Sequence, residues 1–150
     1  MNGLFHFFMN YLIVEQVWGG AMKYVGYIFI FSTFIDLDHL PYILRTRMDI
    51  LKKGFGSASR SRFHELYGLT LFSIGVVVAS SMASEELLKI ISLCFILHLA
   101  SDFIIGRSKP FYPYSRKEVF LGLCPDKYRV SVEIVITLIL GGLMWASIVN

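Results

Sequence analysis

The run of residues 130–149 constrains this chain most. It is the cleanest of several apolar stretches, and a bilayer core of about 30 Å is crossed by about 20 helical residues. Further apolar stretches occupy residues 4–18, 22–35, 63–82 and 87–105. Lipid offers no partners to backbone N–H and C=O groups, so only helices and closed barrels cross it. Strand signals are weak here. The expected fold is therefore all-α, a multi-pass transmembrane helical bundle of four to five spans forming a single membrane-embedded domain over residues 1–150. The first two stretches are short. A helical hairpin lying partly in the membrane fits them equally well.

Punctuation between the stretches agrees with helices. Gly19-Gly20 breaks the first, and Asp36 stops the second. Ser84, followed by Glu85 and Glu86, reads as a helix N-cap. Residues 45–62 and 106–129 read as polar loops, the second holding Pro110, Pro113 and Pro125. The first stretch lacks a basic leader and carries Glu15 where a signal cleavage site would fall, so no cleavable signal is expected.

Composition narrows the function classes. Apolar and aromatic residues make up 55% of the chain and charged residues 17%, against about 25% charged in soluble domains. That excludes intrinsic disorder, a soluble secreted scaffold and a nucleic-acid module, and a net charge of +3 is too small to argue for DNA. Two cysteines, Cys94 and Cys124, are too few for a disulfide framework. Cys94 reads as a small buried hydrophobe. If all five stretches cross, 12 of the 14 Lys and Arg residues fall on the side of Met1, and only Lys23 and Lys89 fall opposite. The positive-inside rule makes the Met1 side cytoplasmic. The basic loops could also attract anionic headgroups.

Ionisable groups at membrane depth are costly and invite a functional reading. All four histidines stand at stretch ends: His6, His39, His64 and His98. In an alternating bundle those ends share the cytoplasmic side. Asp36 and Asp38 accompany His39, Glu65 follows His64, and Asp102 follows His98 at i+4. Residues three or four apart share a helix face. His98 and Asp102 can thus reach one ion, or Asp102 can orient the imidazole. Asp36 and His39 share a face too, and Asp38 joins them only where the helix frays, near Pro41. The seven candidate ligands are His6, Asp36, Asp38, His39, His64, His98 and Asp102. A structural zinc takes four ligands, so seven suit a two-ion site with ions about 3.5–4 Å apart. Each feature also has a plainer reading: a packed His6, a polar stop at Asp36–His39, a structural His98–Asp102 pair, or Glu65 favouring a helix N-terminus. Glu15 has no role in this scheme.

At these residues the chain resembles the YdjM-type (LexA-regulated) family of inner-membrane metal-dependent hydrolases. That pattern has an early histidine, P-D-x-D-H, H-R-x-x-x-H and H-x-x-x-D followed by a proline-containing loop. His6 matches the first. Asp36-Leu37-Asp38-His39 matches the second, with Ile35 in place of proline. Arg60 and His64 match the third, with Ser59 where a histidine is expected. His98 and Asp102 match the fourth, followed by Pro110-Phe111-Tyr112-Pro113. The family pattern is in turn remotely similar to the zinc-dependent phospholipase C and P1 nuclease group, which implies phosphoester chemistry.

The resulting expectation is a membrane-bound metal-dependent hydrolase. One or two divalent ions, zinc first because imidazole suits it, would activate water against a phosphoester or lipid-linked substrate. Asp38 or Glu65 would be the general base, and Arg60 and Arg62 would neutralise a substrate phosphate. The alternative is a non-enzymatic membrane protein, either a metal-ion transporter or a structural subunit. A transporter should hold its ligands near the bilayer midplane on broken helices.

Overall fold

Asn2 sets the start of the first helix. Its side-chain oxygen accepts the Phe5 amide at 2.8 Å, and helix α1 (Gly3–Trp18) follows. The computed structural model describes residues 2–39, 65–121, 123–125 and 127–149, with backbone only for Asp38, His39 and Arg107.

The expected break at Gly19-Gly20 is present, and it has a backbone cause. Both glycines take positive φ, 71° and 63°, where a side chain would be strained. Glu15 gains a role here. Its Oε2 accepts the Ala21 amide at 2.6 Å, satisfying an N–H at the start of the next helical segment. That segment is continuous but uneven: a 3-10 turn (Ala21–Tyr24), helix α2 (Val25–Thr33) and a second 3-10 turn (Phe34–His39). The change from α to 3-10 covers Asp36, Asp38 and His39.

Helix α3 (Leu66–Ala79) is shorter than its apolar run, and helix α4 (Glu85–Ile105) begins where Ser84 predicts. Ser84 Oγ accepts from Leu87 N at 3.3 Å, the N-cap arrangement. The following connection carries two short antiparallel strands, β1 (Arg107–Ser108) and β2 (Val119–Phe120). Helix α5 (Arg129–Val149) closes the described chain. The loop expected at 45–62 lies outside the described residues.

Helix α1 is the centre of the bundle and packs on α2, α4 and α5. Tyr11, Val14, Ala21, Ile28, Ile90 and Cys94 form the heart of the apolar core. Gly141 allows α5 its close approach: a Cβ there would stand 3.0 Å from Phe8 Cε2. The stacked rings of Phe72 and Phe95, 4.0 Å apart, join α3 to α4. Far along the bundle, Tyr24 Oη donates to Glu86 Oε2 at 2.7 Å.

Helices α4 and α5, at 21 residues each, are long and apolar enough to cross a membrane, spanning about 32 Å at 1.5 Å per residue. Helix α1, with 16 residues, reaches about 24 Å, and α3, with 14, about 21 Å. Beside the apolar core the bundle buries several polar side chains and exposes many large apolar ones. His6, Asn10, Ser32 and His98 are fully buried, while Val77, Leu138 and Trp145 are 72%, 71% and 70% exposed.

Candidate metal centre

The site lies where α1, α2 with its 3-10 extension, and α4 meet. Three apolar helices bring their few polar side chains to one another, because a polar group facing an apolar surround without a partner costs free energy. Helix α1 contributes His6 and, one turn on, Asn10. The second helical segment contributes Ser32 and, one turn on, Asp36. Helix α4 contributes Cys94, His98, Ser101 and Asp102.

The imidazoles of His6 and His98 stack with centroids 3.7 Å apart and planes 22° from parallel. His98 Nδ1 lies 2.8 Å from the Ser32 carbonyl oxygen. A carbonyl only accepts, so Nδ1 carries the hydrogen, and in the neutral ring Nε2 carries the lone pair. The Ser101 hydroxyl donates to the His98 carbonyl at 2.9 Å. Its oxygen therefore accepts from His6 Nδ1 at 3.2 Å. Both rings thus hold the same tautomer, with Nε2 as the nitrogen that could bind a metal ion. Fixing the other ring nitrogen on a carbonyl or hydroxyl is how proteins orient metal-binding histidines.

Each Nε2 faces a carboxylate. His6 Nε2 is 3.4 Å from Asp102 Oδ1, and His98 Nε2 is 3.6 Å from Asp36 Oδ1. These separations are longer than a charge-assisted N–H···O bond of about 2.7–2.9 Å. They match the ligand–ligand edge of about 3.4 Å that follows from tetrahedral bonds of about 2.0–2.2 Å. His6, His98 and Asp102 are all buried, and one ligand atom from each lies within 4.8 Å of the others, so the group could hold a metal ion. Gly3 permits the approach of Asp36: a Cβ at Gly3 would meet Asp36 Oδ2 at 3.5 Å and Thr33 Cγ2 at 3.2 Å.

Asn10 braces this arrangement. Its Nδ2 donates to Ser32 Oγ at 2.7 Å and to the Cys94 carbonyl at 3.3 Å. One amide thereby ties α1 to both helices that carry the other ligands. Sequence reasoning misses Asn10, Ser32 and Ser101, although a signal exists. Each is a polar residue inside an apolar helix, spaced three or four residues from His6, Asp36 or His98.

Of the seven candidate ligands, the structure brings His6, His98, Asp102 and Asp36 together. Asp38 and His39 follow Asp36 on the 3-10 turn, with side chains outside the description. His64, Arg60 and Arg62 also lie outside the described residues. Glu65 is buried at the mouth of α3, where its Oε1 accepts the Lys109 amide at 2.7 Å. Its carboxylate thus fastens the connection after α4 to the start of α3.

No family model, curated protein or solved structure matches this chain. The functional reading therefore stands on the geometry of the site.

Proposed function

We propose that this protein is a membrane-embedded, metal-dependent hydrolase of the YdjM type, acting on a phosphoester or lipid-linked substrate. The observation that carries the reading is the paired arrangement of His6 with Asp102 and His98 with Asp36. Two imidazoles hold matched tautomers and aim Nε2 at separate carboxylates across ligand-to-ligand distances. His6, His98 and Asp102 offer ligand atoms within 4.8 Å of one another, enough for one ion, and Asp36 beside His98 Nε2 at 3.6 Å gives a second carboxylate for a two-ion site. Zinc suits an imidazole and carboxylate set. A bound divalent ion lowers the pKa of water toward about 7 and polarises a phosphoryl oxygen.

The chain's own residues do the rest. Ser32 and Ser101 engage Nδ1 of each ring, so that Nε2 is the nitrogen turned toward a carboxylate. Asp102 and Asp36 supply the anionic charge that holds a cation in an apolar surround. Asp38, His39 and His64 complete the ligand set, and Arg60 and Arg62 receive the substrate's phosphate. Of the two carboxylates considered as general base, Glu65 is engaged by the Lys109 amide, which favours Asp38. All five helical segments cross the membrane, α4 and α5 being the longest, and in that topology 12 of the 14 Lys and Arg residues fall on the side of the site, which is therefore the cytoplasmic one.

Metal-ion transport is the second reading, and one observation favours it. His98 lies about 10 Å along α4 from its end at Ile105, beside a helix that changes from α to 3-10. The experiment that separates the two uses full-length protein in lipid nanodiscs and vesicles. Zinc content is measured first, then hydrolysis of a soluble phosphodiester and zinc flux into vesicles. Hydrolysis without flux, both zinc content and hydrolysis failing in His98→Ala, is the expected result. Flux without hydrolysis would move the assignment to transport, and metal-free protein with intact activity would remove the metal site altogether.

A further inference from the structure

The connection between α4 and α5 has a chemistry that the metal cluster does not use. It links the two helices long enough to cross a membrane, so in a bilayer both of its ends emerge on one side. Its beginning is firmly held. Gly106 N donates to Asp102 O at 2.9 Å, Lys109 N to Glu65 Oε1 at 2.7 Å, and Leu66 N to Pro110 O at 3.3 Å. Strands β1 and β2 then pair across it.

From this base the connection carries exposed rings and exposed cations in two short stretches, 111–117 and 127–128. Phe111, Tyr114 and Tyr128 are 64%, 89% and 53% exposed, and Arg116, Lys117 and Lys127 are exposed among them. Lys109 is offset by Glu118 at 3.4 Å, and Lys127 Nζ stands 5.2 Å from the Tyr128 ring centre. Arg116 and Lys117 make no ion pair among the described residues. Water is a poor surround for three open rings, whereas the headgroup layer suits an aromatic side chain with a polar tip. Each cation near an anionic leaflet gains about 1 kcal/mol. An inorganic polyanion would use the cations and gain nothing from Phe111 or Tyr114.

We infer that Phe111, Tyr114, Arg116, Lys117, Lys127 and Tyr128 form a surface that binds the headgroups of anionic phospholipids. It lies in the leaflet into which the C-terminal end of α4 opens. The inference rests on the proposed membrane-embedded hydrolase and deepens it, since the connection that carries the surface begins at Gly106, whose N–H donates to the Asp102 carbonyl, and collects phosphate-bearing lipid on the side of the metal centre.

Cys124 offers a reporter, because the other cysteine, Cys94, is fully buried. Full-length protein carrying a dye on Cys124 is reconstituted in nanodiscs containing a headgroup-level quencher on either phosphatidylglycerol or phosphatidylcholine. The expected result is several-fold stronger quenching by the anionic lipid at low salt. Replacing Arg116, Lys117 and Lys127 by Gln should cut that preference by up to about five-fold per charge, and high salt should weaken it. Equal quenching by the two lipids, unchanged in the Gln variant, would overturn the inference. Brominated acyl chains and Trp145 fluorescence in a Trp18→Phe background give the separate control. Trp145 quenched with no anionic preference at Cys124 sinks the headgroup surface alone; Trp145 unquenched sinks the membrane reading and the surface with it.

Discussion

His6 and His98 stack ring on ring at 3.7 Å, and each turns Nε2 toward a different carboxylate. The stack joins the first helix to the fourth across most of the chain. Its tautomers are set by two acceptors, the Ser32 carbonyl and the Ser101 hydroxyl. The contact sets two imidazole Nε2 atoms inside an apolar bundle, where with Asp102 they could hold a metal ion.

Asn10 should behave as a positioning residue for the ligands. Asn10→Leu keeps the volume and removes both bonds from Nδ2. Loss of such outer contacts typically lowers metal affinity by about 10–100-fold. Zinc titration of the purified variant measures this, and ¹⁵N spectra of His98 should show the Nδ1–H tautomer less fully populated. Unchanged affinity with an unchanged tautomer would confine Asn10 to packing.

Glu65 separates two roles by charge. Glu65→Gln keeps an oxygen for the Lys109 amide, whereas Glu65→Ala does not. Hydrogen exchange at Lys109 N–H should stay slow in the Gln variant and quicken in the Ala variant. Hydrolysis should survive Glu65→Gln. Asp38→Asn should lower it by about 10²–10⁴-fold, the usual contribution of a general base. A dead Glu65→Gln enzyme with the amide still protected would return the base role to Glu65.

The helical frame is largely legible in the sequence, and so is half of the site. Ser84 marks the start of α4, and Gly19-Gly20 marks the break after α1, because capping and left-handed backbone select residue types. His98 and Asp102 are readable from their i, i+4 spacing, and His6 from its place at a helix start. The Ser32 carbonyl is not readable, since a backbone oxygen leaves no trace in residue type. The partnering of His6 with Asp102 rather than with Asp36 is equally hidden, because it depends on how α1 is rotated against α4. The number of crossings is likewise not fixed by hydropathy: α3 ends at Ala79 while its apolar run continues to Met82, and α2 gives way to 3-10 turns at both ends.

Packing between α1 and α5 gives a test of the bundle itself. A Cβ at Gly141 meets the Phe8 ring at 3.0 Å, while one at Gly142 meets nothing within 4 Å. Gly141→Val should cost about 1–3 kcal/mol through overpacking, and Gly142→Ala should be close to neutral. Denaturant titration in mixed micelles reads both. Equal effects of the two substitutions would mean that α5 does not seat on Phe8.

X-ray absorption of zinc-loaded, full-length protein tests the central claim most directly. The expected spectrum has a first shell of nitrogen and oxygen at about 2.0–2.2 Å with the outer-shell signature of imidazole, and that signature disappears in the His6→Ala, His98→Ala double variant. A spectrum without imidazole, or one that the double variant leaves unchanged, would contradict the assignment of the stacked histidines as metal ligands.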